Sequence, residues 1–147
     1  MNLEDQITSD LKTALLSSNA TAVSVLRLLK SELKNASIAQ TGALDEAAGF
    51  QVIRREIKKR QDAAELYRKG GRAEQASQEE AEGLILEKYL PAQANPQEVE
   101  TFIKQAIQEI PNPSAKNKGE IIKLALSKFG NQVDGRTVSE IVNRLLV

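Results

Sequence analysis

Apolar residues recur every three or four positions along almost the whole chain, and this spacing predicts helices throughout. Leu3, Ile7, Leu11 and Leu15 make the first stripe, on a helix from Leu3 to about Ser17. Asn19 offers a cap for a second helix, in which Val25, Leu26, Leu29, Leu33 and Ala36 share a face before Thr41-Gly42. A third helix runs from Asp45 to Lys69 with Phe50, Ile53, Ile57, Ala64 and Tyr67 inward, and Gly70-Gly71 ends it. Gly49 interrupts this pattern and should weaken the first turn by up to about 1 kcal/mol against alanine. A fourth helix covers Ala73 to Tyr89, acidic early and apolar late at Ile85, Leu86, Tyr89 and Leu90.

The first proline arrives at Pro91, and Asn95-Pro96 follows, so a domain boundary is expected there. Pro96 suits the first position of a fifth helix capped by Asn95, with Val99, Phe102, Ile103, Ala106 and Ile107 on its apolar face. Ile110-Pro-Asn-Pro113 breaks that helix. Ser114 is the expected cap of a sixth helix ending near Gly130, and Asp134-Gly135 leads into a last one with Val138, Ile141, Val142, Leu145 and Leu146 buried. The expected fold is all-α: an N-terminal four-helix part over 1–90, then a small three-helix C-terminal tail domain over 91–147.

Composition narrows the chemistry. The 147 residues carry 20 basic and 20 acidic side chains, so bulk charge gives no reason to coat a nucleic acid. Histidine and cysteine are both absent, which removes zinc sites built on them, thiolate chemistry and the commonest acid-base catalyst near neutral pH. Five aromatic residues, Phe50, Phe102, Phe129, Tyr67 and Tyr89, fall in apolar registers, so base stacking on an open platform is not expected. No apolar run reaches membrane-spanning length, and Met1-Asn-Leu-Glu-Asp5 does not read as a signal peptide. A cytoplasmic protein with no cofactor, metal, membrane or DNA partner is expected.

Within that frame, Arg54-Arg55-Glu56-Ile57-Lys58-Lys59-Arg60 stands out, with five basic residues in seven. Arg54 and Lys58 share one helix face and Arg55 and Lys59 another, so like charges repel unless phosphates relieve them. The competing reading is a solvated face paired with Asp62, Glu65 or the acidic fourth helix. A second set is Lys116, Lys118, Lys123, Lys128 and Arg136 in the tail, the first two near a helix N-terminus that itself attracts anions. The tail holds seven basic and six acidic residues, no strong excess. Gly119, Gly130 and Asp134-Gly135 read as architecture: a close approach, a helix C-cap and a turn. Glu74, Glu79, Glu80, Glu82 and Glu87 of the fourth helix face several directions and make a poor catalytic or metal cluster.

The ordered set of motifs resembles the GatB/YqeY family. Leu26-Arg27 with Lys30 and Lys34-Asn35, then Ile57-Lys58-Lys59-Arg60, Gly71-Arg72 and Tyr89-Leu90-Pro91 are similar to its first half. Lys118-Gly119, Gly130, Asp134-Gly135 and Ile141-Val142 are similar to its tail. Two departures are local: Lys118 precedes Gly119 where Met-Gly is usual, and Gly83-Leu84 stands where an acidic residue is usual. The resemblance implies kinship with the B subunit of glutamine-dependent aminoacyl-tRNA amidotransferases, carbon–nitrogen ligases in which this tail touches tRNA. Their catalytic cradle lies in another domain, so the resemblance implies a module without intrinsic catalytic activity. The leading expectation is a tRNA-binding or tRNA-associated module. The alternative is an adaptor docking on an amidotransferase or synthetase subunit through late helix four or Leu145-Leu146-Val147.

Overall fold

The computed structural model describes residues 2–146. Among them are seven α-helices, two 3-10 turns and no strand. The chain divides into two compact units, Met1–Leu90 and Pro91–Val147.

The first unit contains α1 (Leu3–Leu16), α2 (Ala20–Ala39), α3 (Glu46–Lys69) and α4 (Ala73–Glu87). Three of these helices start on a side-chain cap: Asn2, Asn19 and Asp45 accept from the backbone N–H groups of Asp5, Ala22 and Ala48. The α4 helix has no such cap, and the chain reaches it through Gly71, whose φ of +76° favours glycine. The α3 helix packs along α4, and α1 along α2, with α2 also touching α3 and α4. Their shared core includes Ile7, Leu29, Leu33, Ile53 and Leu86, all essentially without solvent. Each such side chain contributes about 1.5–3 kcal/mol by burial. The odd Gly49 has a packing reason: a Cβ there would come within 2.9 Å of Leu3 Cδ2. The α4 helix ends at Glu87, short of Tyr89, which turns inward as its Oη donates to Asp10 Oδ2 at 2.6 Å.

The second unit contains α5 (Pro96–Gln108), α6 (Lys118–Phe129) and α7 (Gly135–Leu145). Asn95 accepts from the Gln97 N–H to start α5. Ser114 caps not α6 itself but the 3-10 turn Ala115–Asn117, in a reciprocal box with Asn117. The reason is that Ala115–Asn117 tightens into a 3-10 turn before α-helical geometry begins at Lys118. Val99, Ile103, Ile121, Ala125, Val138 and Val142 form the core, and Phe102 meets Phe129 edge to face at 5.6 Å. Gly130 closes α6 with φ +56° and ψ −132°, a conformation side chains resist. Asp134 accepts from the Arg136 N–H and starts α7. Gly119 departs from expectation: it is exposed and a Cβ there would meet nothing, so no close approach depends on it.

Candidate functional site

The basic run of α3 is largely neutralised within its own unit. Lys58 Nζ lies 3.0 Å from Asp62, and Lys59 Nζ lies 3.1 Å from Glu56. Further along, Lys69 pairs with Glu65 and Arg68 with Glu80 of α4. Arg54 is half-buried and already engaged. Arg55 alone of the α3 candidates is exposed without an ion pair among the described residues. Such surface pairs are weak, at most about 1 kcal/mol each, but they cancel the local field that phosphates would feel.

Arg60 departs from the solvated run. It is 7 % exposed, and its guanidinium pairs with Glu56 at 3.1 Å and with Glu82 of α4 at 3.5 Å. Glu56 is itself 4 % exposed. The spacing of Glu56 and Arg60, four apart on a helix, is the signal for this pair, masked by the surrounding basic residues. Glu79 stands beside this network. Burial pushes its carboxyl up from the ordinary range, the Glu82 charge and hydrogen bond add to that, and Arg60 opposes it. A raised carboxyl favours folding below its unfolded pKa and loses that contribution as pH rises. No group of three or more acidic residues among those described is arranged to hold a metal ion.

The tail presents a different electrostatic picture. Lys104 and Arg144 both pair with Glu100, joining α5 to α7. The other five cations, Lys116, Lys118, Lys123, Lys128 and Arg136, make no ion pair among the described residues. Lys116, Lys123, Lys128 and Arg136 are exposed, and Lys118 is half-buried at the first position of α6. Helical spacing sets Lys123 and Lys128 on either side of an exposed ridge of Leu124 and Ser127, with Glu120 on the same side. Leu126 Cδ2 reaches to 4.0 Å from the Cβ position of Gly135, so the second half of α6 adjoins the start of α7 that carries Arg136.

The surfaces expected to dock a protein are mostly spent on packing. Leu86, Tyr89 and Leu146 are buried, Ile85, Leu90 and Leu145 are half-buried, and Val147 lies outside the described residues. Leu84 and Leu66 are instead the exposed leucines of α4 and α3. Arg27, grouped by sequence with structural motifs, is exposed, without an ion pair among the described residues, beside a shallow depression with Leu15 and Val23. Leu26 by contrast is core, at 2 % exposure. A hollow of about 310 Å³ lies where α1 and α3 begin, but Asn2 and Asp45 at its edge already serve as helix caps.

Comparison with known proteins gives a match to the YqeY-like protein family over residues 4–146. The chain is similar to the "Altered inheritance of mitochondria protein 41, mitochondrial" of Pyrenophora tritici-repentis, 23 % identical over 145 residues, or 96 % of this chain and 79 % of that protein. It is also similar to the protein of that name in Vanderwaltozyma polyspora, 30 % identical over 104 residues, or 69 % of this chain and 56 % of that protein. No described helix is long and apolar enough to cross a membrane.

Proposed function

The chain belongs to the YqeY-like protein family, and from that premise we propose that it is a non-catalytic tRNA-binding or tRNA-associated module acting through its three-helix tail. The observation that carries this reading is that five of the seven tail cations make no ion pair among the described residues. Lys104 and Arg144 share the Glu100 carboxylate, while Lys116, Lys118, Lys123, Lys128 and Arg136 make no ion pair among the described residues. A phosphate backbone supplies the missing anions, and the counterions it releases drive binding.

The mode of recognition follows from the aromatic residues. Phe50 and Tyr89 are buried, Phe102 and Phe129 pack edge to face against each other, and Tyr67 is half-buried. With no aromatic residue open for base stacking, the module reads the shape and phosphates of a folded RNA. The α3 candidates Arg54, Arg55, Lys58 and Lys59 play a smaller part, because acidic neighbours hold the two lysines. The reading has the chain act in the cytoplasm, whereas the names of the two fungal relatives assign those proteins to mitochondria. The second reading, an adaptor for an amidotransferase or synthetase subunit, draws on exposed Leu66 and Leu84.

The test is a titration of labelled tRNA with the full chain at two salt concentrations. Binding that weakens steeply with salt, and that is lost on reversing Lys123 and Lys128 together to glutamate, is the expected result. No binding at low salt, or binding indifferent to salt, overturns the reading.

A further inference from the structure

The interior of α4 carries a glycine, Gly83, at a place where helices disfavour it. Gly83 is buried, yet a Cβ built on it would meet no atom within 4 Å. The space in front of it belongs to a groove of about 260 Å³ between α3 and α4. Ile57 and the Arg60 side chain help to line it. Arg60 is 8 % exposed through its side chain, and its buried Nε–H makes no hydrogen bond but faces Glu82 Oε2 at 3.5 Å. Beside Gly83 stands Leu84, 61 % exposed.

The charge around the groove is not balanced by the protein's own cations. Glu79, Gly83 and Glu87 occupy successive positions four apart, so one carboxylate stands a turn before the glycine and one a turn after it. Neither Glu79 nor Glu87 makes an ion pair among the described residues. Glu56 and Glu82 already share Arg60. Burial is the main cause that raises the Glu79 carboxyl; the Glu82 charge adds to it and the Arg60 charge opposes it.

We propose that this groove is a docking site for a basic amphipathic helix of a protein partner. One lysine or arginine of that helix lays its methylene stem over Gly83 and Ile57 and carries its charge to Glu79 or Glu87. An apolar residue one turn away sits on Leu84. Long basic side chains combine an apolar stem with a charged tip, which matches an apolar floor edged with carboxylates. The inference does not depend on the RNA reading, since it concerns the other unit and a surface of opposite charge.

The test is an anisotropy titration of the full chain with a short labelled helical peptide of leucine, lysine and alanine. A control peptide carries glutamine in place of lysine. The expected result is saturable binding that Gly83→Leu weakens about tenfold or more, while the control peptide does not bind. Gly83→Leu changes no charge, so unspecific attraction between lysines and an acidic surface would survive it. Equal affinity for Gly83→Leu, or equal binding of the control peptide, overturns the proposal. Should Gly83→Leu fail to fold, a variant with Glu79→Gln and Glu87→Gln decides: weakened binding supports the site and unchanged affinity overturns it. Sedimentation of the chain alone adds an arm. Self-association abolished by the same glutamine variant would put a second copy in the groove and overturn a foreign partner.

Discussion

Arg60 and Glu56, one turn apart on α3, form a buried pair in which Arg60 Nη1 lies 3.1 Å from the Glu56 carboxylate and 3.0 Å from the Glu56 carbonyl oxygen. Their side chains are 8 % and 5 % exposed, so neither charge can turn to water for compensation. Removing Arg60 leaves Glu56 with Lys59 as its one cation and takes the ion-pair partner from Glu82. Arg60→Ala is expected to cost about 3 kcal/mol or more of unfolding free energy, read from urea titration. Combining Arg60→Met with Glu56→Gln and Glu82→Gln should recover much of that loss, because no unpaired carboxylate of this network is then left inside.

Tyr89 ties the end of the first unit to α1 through its 2.6 Å bond to Asp10. Burial, then the bond to Asp10 and its charge, push the Tyr89 phenol up from its ordinary value. The folded state therefore holds the phenol proton more tightly than the unfolded chain does. This contribution is complete below the unfolded pKa of about 10 and is lost as pH rises above it. Tyr89→Phe should lower stability by about 1–2 kcal/mol at neutral pH and flatten the alkaline part of the stability curve, as followed by thermal melts against pH.

Two glycines should respond in opposite directions to alanine. Gly83 has helical neighbours and open space, so Gly83→Ala should stabilise the chain by about 1 kcal/mol. Gly130 sits at φ +56°, so Gly130→Ala should destabilise the tail by about 1–3 kcal/mol. Chemical denaturation of both variants beside the parent checks the pair.

The tail and α3 lysines should separate in a salt titration of RNA binding. Each of Lys123→Gln and Lys128→Gln should lower the slope of log K against log salt by about 0.7–0.9, the share of one phosphate contact. Lys58→Gln should leave the slope nearly unchanged, since Asp62 already neutralises that lysine at 3.0 Å. A slope that falls equally for all three would move the site to both units.

Much of the helical fold was legible from spacing and punctuation. The stripe Val25, Leu26, Leu29, Leu33 is the buried face of α2, and Asn19, Asn95 and Asp134 sit at the helix starts where their short polar side chains bond to the backbone. These features are local: a helix period and a cap involve residues within one turn of each other. Ser114 shows the limit even there, because a cap marks where a turn begins but not whether the turn is 3-10 or α.

Charge was much less legible. Arg60 reads in sequence as one more member of a basic run, yet it is buried against Glu82 of the next helix. Arg27 reads as part of a structural motif and is exposed. Gly83 reads as a local departure from the family pattern, and the structure sets it at the border of an open groove. By itself the sequence determined the all-α class, the helix order, most caps and the apolar faces, since these follow from periodicity and short-range hydrogen bonding. Pairs within one helix, such as Lys58 with Asp62 and Lys69 with Glu65, were open to sequence spacing, whereas only the tertiary structure decided which charges pair across helices. That outcome depends on carboxylates brought from other helices, such as Glu82 to Arg60 and Glu100 to Arg144, and on burial that no local pattern encodes.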